Sequence, residues 1–200
     1  MSWLRSPFFW FLLAVLTTAG LIAIGPAEAS LGENVRIVYL HGAWVLTAEA
    51  ALGLAAAAGL FGILFRRERL QRWSAALGRT GIIFWIIYLP LSLWAMQANW
   101  NGLFLSEPRF RIAFIFAVTG VLLQMGLALL SRPVFTSLAN VLFFTALWIT
   151  LRQADYVLHP PPSPIFGSGI LSLQFYFIGV IFLTAVAAYF LTRWWLQKSS

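Results

Sequence analysis

Two histidines are the side chains of this chain best suited to binding a metal. His41 stands in the segment RIVYLHGAWV and His159 in the segment DYVLHPPPSPIFGSG, and the sequence contains no other histidine and no cysteine. Neutral imidazole is a common metal ligand, and two imidazoles can hold a haem iron from opposite axial sides. The other interpretation is that each histidine is only solvated at a surface. The absence of cysteine excludes disulfides, thiol nucleophiles and Cys-ligated clusters.

Tryptophans accompany these segments. Trp44 follows His41 by three residues, and Trp100 opens a third segment of interest, WNGLFLSEPRFRIAF. Flat aromatic faces are the kind of surface on which a porphyrin plane packs. Tryptophan is also enriched wherever a membrane protein meets the bilayer interface. Both tryptophans are therefore candidates for supporting a haem, with a plain interfacial role as the alternative.

Arginines stand in the same segments. Arg36 begins the first of them, and Arg109 lies in the third together with Glu107. Haem carries propionate carboxylates, and a guanidinium group pairs with a carboxylate through two parallel hydrogen bonds. The arginines can instead pair with the chain's own acids, Glu33, Glu107 and Asp155. The sequence leaves both kinds of pairing open.

The elements that must position these residues are membrane-spanning helices. Hydrophobic residues make up 61% of the 200-residue chain and charged residues 10%, which lies outside the usual range for a soluble domain. A hydrocarbon core of roughly 30 Å requires about 20 apolar residues per helix. We therefore predict an all-α, polytopic membrane protein in which residues 1–200 form a single membrane domain of six transmembrane helices in one bundle. The apolar runs are 7–24, 40–65, 81–98, 112–130, 135–151 and 170–191.

The distribution of Lys and Arg predicts how this bundle is oriented. Alternate connectors differ, because one set carries most of the basic residues and the other holds four of the six acids. Since cytoplasmic loops are enriched in Lys and Arg, both termini are predicted to be cytoplasmic and both histidines external. The net charge of +7 follows from this asymmetry, so no nucleic acid partner is expected. The basic residues on the predicted cytoplasmic side are Arg5, Arg66, Arg67, Arg69, Arg72, Arg79, Arg132, Arg193 and Lys198.

The first apolar run has two interpretations. It is followed by Ala27, Glu28 and Ala29, an A-x-A pattern typical of a signal-peptidase site. The run has about 18 residues, whereas the apolar region of a signal peptide usually has roughly 7–15. We predict that the first span is retained. Cleavage would leave five spans with the same loops outside.

Glu49 is a carboxylate inside the second apolar run, eight residues beyond His41 and about 12 Å further along a helix. Ionisable groups at such depth are costly and often functional. One interpretation is that Glu49 tunes protonation beneath the histidine or lines a polar path. The other is that it is protonated and hydrogen-bonded to Gln97 or Gln124 on neighbouring helices.

The three segments resemble those of the cytochrome c assembly family, most closely its heme exporter protein C members. RIVYLHGAW is similar to the family's first histidine segment, RI-x-Y-x-H-V-P-x-A-W, and DYVLHPPP is similar to the second. WNGLFLSEPRF resembles the tryptophan-rich loop W-G-x-W-W-x-W-D-x-R, in which Trp100, Glu107 and Arg109 match the first Trp, the acid and the Arg. The chain departs from the family in lacking the proline after His41 and the loop's further tryptophans.

The resemblance implies a haem-handling membrane protein of cytochrome c biogenesis rather than an enzyme. Haem b would be a transient cargo held at the external face for delivery to a haem chaperone or an apocytochrome. Membrane lipid and transporter subunits of cytochrome c maturation are the other implied partners, and a bacterial-type inner (plasma) membrane is the implied location. The haem site implied by the resemblance comprises His41 and His159 as axial ligands, with Arg36, Trp44, Trp100, Glu107 and Arg109 around them.

Two other functions stay open. A membrane redox subunit with permanently bound haem b or quinone would usually place its histidines inside facing helices, whereas the predicted spans put both histidines at loop level. A small non-haem scaffold would carry histidines that have no ligand role. Haem that survives purification would favour the redox subunit, and a protein that never binds haem would favour the scaffold.

Overall fold

The structure, a computed structural model, describes residues 3–155 and 165–198. Six α-helices make up most of this part of the chain, and it contains no β-strand beyond an isolated bridge between Glu28 and Gly32. Short 3-10 turns cover Trp3–Arg5 and Phe166–Ser168. The helices are α1 (Pro7–Ala23), α2 (Val35–Leu64), α3 (Glu68–Trp100), α4 (Pro108–Leu130), α5 (Pro133–Arg152) and α6 (Leu171–Lys198).

Five of these helices, α2 to α6, are long and apolar enough to cross a membrane. In a bilayer every backbone polar group must be satisfied within the protein, and a helix achieves this without a partner strand. The chain is therefore a helical, multi-pass membrane protein. Helix α1 is also apolar but has 17 residues, a length of about 26 Å. Its crossing of the membrane, and with it the count of six spans, stays a prediction.

Helix α1 packs antiparallel to α6 along its length. The rings of Phe8 and Trp194 have centroids 5.2 Å apart where α1 begins and α6 ends. At the opposite end the Tyr176 hydroxyl donates to the Leu21 carbonyl oxygen at 2.8 Å. The start of α1 and the end of α6 thus lie at one end of the bundle, as the prediction of two termini on one side requires.

The two ends of the bundle differ in character. The basic end holds the start of α1, the end of α6 and residues 65–72, which include four arginines. The histidine end lies opposite, where α2 begins and α3 ends. There the Asn34 side-chain amide donates to the Ala98 carbonyl oxygen at 2.8 Å, so the start of α2 is tied to the end of α3. The side of the membrane that each end faces stays a prediction.

The helices extend well beyond the apolar runs of the sequence. Helix α2 begins at Val35 rather than at residue 40, and α3 begins at Glu68 rather than at residue 81. As a result Arg72 and Arg79 lie on α3, not in a connector, and His41 is the seventh residue of α2. Apolar runs mark only the lipid-embedded part of a helix, because arginine and glutamate are good helix formers outside the hydrocarbon.

Small residues allow the central helices to approach closely. A Cβ atom on Gly81 would lie 2.7 Å from the Leu52 side chain, and one on Gly59 would lie 2.8 Å from the backbone oxygen of Ser137. Ala55, one turn before Gly59 on α2, is fully buried. Small residues at such crossings are the usual means of helix association in membranes. Helix α2 therefore packs against both α3 and α5 through its small-residue face.

A buried polar network joins four helices in the half of the bundle near the basic end. The Asn140 amide on α5 donates to the backbone and hydroxyl oxygens of Ser74 on α3 at 2.9 and 3.0 Å. Ser74 donates in turn to the Ala55 carbonyl oxygen on α2 at 2.7 Å. Gln124 on α4 donates to Asn140 Oδ1 at 3.1 Å. Each hydrogen bond satisfies a polar group that has no water available to it.

The connector between α1 and α2 is folded on itself. The backbones of Glu28 and Gly32 exchange hydrogen bonds of 3.2 and 2.7 Å. The Glu28 carboxylate accepts hydrogen bonds from the Ser30 hydroxyl and from the backbone N–H of Leu31. The Ser30 hydroxyl, followed by the Leu31 N–H, holds the pKa of Glu28 below its ordinary value. Glu28, inside the A-x-A pattern, is therefore ionised at neutral pH.

Candidate functional site

His41 lies on the side of α2 that faces α3. Its ring packs against Tyr88 of α3, with centroids 5.0 Å apart and an interplanar angle of 33°. The side chain is partly buried, and its Nδ1 atom is shielded from solvent. His41 lies within α2, six residues after the first residue of the helix, and not in the connector before it. A ligand at His41 must therefore approach along the outer part of the α2–α3 interface. Its level relative to the bilayer stays a prediction.

Tyr88 of α3 is the aromatic residue that contacts His41 of α2, and it is buried. Its side chain is hydrogen-bonded to Ser92, one turn further along α3. Tyr88 also packs against Trp85 of its own helix, with ring centroids 5.4 Å apart. The surroundings of His41 on the α3 side are therefore mainly aromatic.

Glu49 lies on α2, and the two glutamines considered as its partners have other hydrogen bonds. Gln124 donates to Asn140 at 3.1 Å and Gln97 donates to Asn101 at 3.3 Å. The role and the protonation of Glu49 stay predictions.

Trp44 is a core residue. Its side chain is 6% exposed and stacks on Phe84 of α3, with ring centroids 4.6 Å apart and planes inclined by 21°. It belongs to the same hydrophobic cluster as Trp85, whose indole N–H donates to the Ala113 carbonyl oxygen at 2.9 Å. Since its ring is enclosed by the bundle, Trp44 offers no face to a porphyrin at the surface. The prediction that it belongs to the haem site is corrected accordingly.

Trp100 stands at the histidine end. It is the last residue of α3 and is 42% exposed. Asn101 follows it with a positive φ of 51°, a left-handed conformation that asparagine tolerates and that ends the helix. The hydrogen bond from Asn34 to Ala98 keeps this end of α3 beside the start of α2. The structure thus brings Trp100 to the same end of the bundle as His41.

Glu107 forms the N-cap of α4. Its Oε2 atom accepts a hydrogen bond of 2.6 Å from the backbone N–H of Phe110, and the residue is 8% exposed. Pro108 follows at the first helical position, where its missing N–H costs nothing. The helix start in turn fixes the position of Arg109, the second residue of α4. Glu107 therefore contributes to the site by positioning the beginning of α4.

Replacing Glu107 with alanine should destabilise α4 at its start. Loss of an N-cap side chain typically costs about 1 kcal/mol, so the midpoint of thermal unfolding in detergent, followed by circular dichroism, should fall by a few degrees. Ser106→Ala, a change at the exposed neighbouring residue, is the control and should leave the midpoint unchanged. An equal midpoint for Glu107→Ala and the wild type would contradict the capping role.

Arg36 belongs to a different set of contacts. Its guanidinium pairs with Glu33 at 3.3 Å and donates to the Gly25 carbonyl oxygen at 3.0 Å. Arg36 and His41 are five residues apart on α2, which is roughly 140° around the helix axis. Arg36 therefore points towards the connector between α1 and α2, while His41 points towards α3. Arg36 could pair with a haem propionate or with an acid of the chain, and in the structure it pairs with Glu33.

His159 falls at a position outside the described residues, so its ligand role stays a prediction. The nearest described residue that follows it is Ile165, which packs with Val35, Tyr39 and Phe177 at the histidine end. On the preceding side, the Arg152 guanidinium lies 4.3 Å from the centroid of the Trp148 ring. Among the described residues no three His, Cys, Asp or Glu side chains come together as a metal site.

Tyr88 and Ser92 are the site residues that sequence reasoning missed. Both lie in the third apolar run, around Pro90, where a hydroxyl-bearing side chain is one of few polar groups. Polar side chains inside an apolar run were the only sign in the sequence that these two residues matter. The sequence could not show their role, because only the tertiary packing shows that Tyr88 contacts His41.

Three comparisons with known proteins gave no match. No family model, no curated protein and no solved structure matches the chain. The resemblance to cytochrome c assembly proteins therefore rests on the three short segments, and any function must be inferred from the site itself.

Proposed function

We propose that the protein binds haem at the surface of the histidine end and passes it to a partner in cytochrome c assembly. The observation that carries the proposal is the position of His41. Its imidazole is partly exposed beside Tyr88, at the end of the bundle that also presents Trp100. The imidazole can ligate the haem iron. The exposed indole offers a flat face on which the porphyrin can pack.

The proposed site is smaller than the resemblance implies. His41 supplies one axial ligand and His159 the other, and Trp100 supports the porphyrin. Arg109, the second residue of α4, is the partner for a propionate. The residues that we leave out of direct haem contact are Trp44, Glu107 and Arg36, because each has a structural role in the packing, the capping of α4 or an ion pair.

The packing around His41 favours haem as a cargo rather than as a resident cofactor. The bundle interior beside it is filled by Tyr88, Trp85 and Phe84. Two cavities of the described residues, of about 730 and 370 Å³, are both lined without His41. A haem at His41 would therefore lie at the surface, where an imidazole can be protonated or exchanged for a partner's ligand.

A membrane redox subunit with permanent haem b is the second candidate. It is favoured by one observation, the placement of His41 inside α2 instead of in a loop. A resident haem would have to displace aromatic side chains that now pack against one another, such as Trp44 and Phe84. The proposed location for either function is a bacterial-type plasma membrane with the histidine end external. A haem chaperone, an apocytochrome and transporter subunits of cytochrome c maturation are the proposed partners.

A haem-transfer assay tests the proposal. Wild-type protein in lipid nanodiscs is loaded with haem and mixed with apomyoglobin as an acceptor, and the transfer is followed by absorbance. We expect stoichiometric loading followed by complete transfer, and no stoichiometric loading of the double variant His41→Ala/His159→Ala. Gln153→Ala, at an exposed residue after α5, is the control and should behave as the wild type. Haem that stays bound would support the redox subunit, and a wild type that never loads would support the scaffold.

A further inference from the structure

A groove opens between α2, α3 and α6 in the described part of the bundle. Its volume is about 730 Å³. Its wall on α2 runs from Leu46 to Ala58, a rise of about 18 Å. That length is close to half of a hydrocarbon core of roughly 30 Å, which is one leaflet. Because exposed side chains such as Leu54 and Tyr189 line it, the groove is open to the surrounding lipid.

The groove exists because α2 presents small side chains there. Ala50, Ala57 and Ala58 form part of its floor, and an alanine leaves space that a leucine would fill. Two hydrogen bonds fix the position of α6 beside the groove, one to α2 and one to α3. Thr184 of α6 and Thr47 of α2 join their hydroxyl oxygens at 2.7 Å. Near the basic end, a second hydroxyl pair joins α6 to α3 at 3.0 Å, so the space is fixed by polar contacts.

The groove has one charged end. Arg69, an exposed residue in the first turn of α3, lines it at the basic end, and no acidic residue does. Within the described residues Arg69 forms no ion pair. Three further arginines lie within three residues of it, at positions 66, 67 and 72, against the single acid Glu68. The far end of the groove, near Leu46, is apolar apart from one threonine hydroxyl. The groove thus matches an amphiphile with an anionic head and a hydrocarbon tail.

We propose that this groove binds an anionic phospholipid from the leaflet at the basic end. An acyl chain lies along the alanine face of α2, and the phosphodiester pairs with Arg69, whose guanidinium suits phosphate oxygens. The choice of a lipid over a neutral quinone rests on the arginine at the head position. The choice over a second copy of the chain rests on the same charge, because the basic end carries no acidic patch that could pair with it.

Native mass spectrometry of the detergent-purified protein tests the proposal. The protein is titrated with phosphatidylglycerol and with phosphatidylcholine of identical acyl chains. We expect one phosphatidylglycerol to bind at least tenfold more tightly than phosphatidylcholine. Arg69→Gln should remove that preference, and Ala58→Phe should weaken the binding of both lipids by filling the groove.

Two variants serve as matched controls. Arg132→Gln removes an exposed arginine at the basic end but on the α4–α5 side, and Ala128→Phe adds an aromatic ring on exposed α4. Both should keep the lipid preference of the wild type. Equal binding of the two lipids would overturn the proposal, as would a saturable quinone site that Ala58→Phe blocks. A dimer that Ala58→Phe dissociates would instead identify the groove as an interface between copies.

Discussion

Replacing His41 with alanine is expected to weaken haem binding by at least about 100-fold while the protein still inserts and folds. Loss of a residue that only supports a metal ligand already costs about 10–100-fold, so loss of the ligand itself should cost more. Folding should be retained because the imidazole is only partly buried and packs against Tyr88 at the outer part of the bundle. The measurement is an equilibrium haem titration of the purified variant in nanodiscs.

Two further variants separate ligation from general packing at the histidine end. Arg109→Gln and Trp100→Phe each change a group that contacts only the haem periphery in the proposed site, so each should weaken binding by less than His41→Ala. Unfolding midpoints recorded in parallel show whether a variant is folded. If Trp100→Phe abolished binding while His41→Ala retained it, the assignment of His41 as an axial ligand would be wrong.

Replacing Gly59 with valine is expected to have the largest effect on stability. A Cβ atom at this position would lie 2.8 Å from the backbone oxygen of Ser137 and 2.9 Å from the Ser74 hydroxyl oxygen. Since backbone cannot rotate away as a side chain can, α5 must move off α2. Overpacking of a close-packed interior costs about 1–3 kcal/mol, and we expect the upper end of this range, measured by denaturant unfolding in detergent micelles.

A second glycine supplies the control for this prediction. A Cβ atom on Gly126 of α4 would meet no atom of a neighbouring helix among the described residues within 4 Å, so Gly126→Val adds the same side chain without a clash between helices. Its unfolding free energy should stay within about 0.5 kcal/mol of the wild type. Equal unfolding free energies for Gly59→Val and Gly126→Val would show that α2 and α5 are not in the close contact described.

The helical membrane fold could be predicted from the sequence because it depends on composition along the chain. Runs of apolar residues report directly on burial in lipid, and each of the six runs overlaps a helix. The helix ends could not be predicted in the same way. Arg36 and Arg72 lie on helices outside the apolar runs, and hydropathy does not distinguish a polar helical turn from a polar connector.

The candidate site was predictable only in part. The alternation of spans predicts that His41 and Trp100 lie at the same end of the bundle. It does not predict the direction of each side chain, because that direction depends on which neighbouring helix each face contacts. Arg36 faces its own acid Glu33, Trp44 faces the core, and Tyr88, which no motif contains, faces His41.

The absorption spectrum of the haem-loaded protein, oxidised and reduced, tests the central claim most directly. The account predicts a six-coordinate, low-spin spectrum with two imidazole ligands. His41→Ala and His159→Ala should each convert it to a five-coordinate, high-spin spectrum, and the double variant should show only free haem. A low-spin spectrum that persists in both single variants and in the double variant would contradict ligation by these histidines, and with it the proposed haem site.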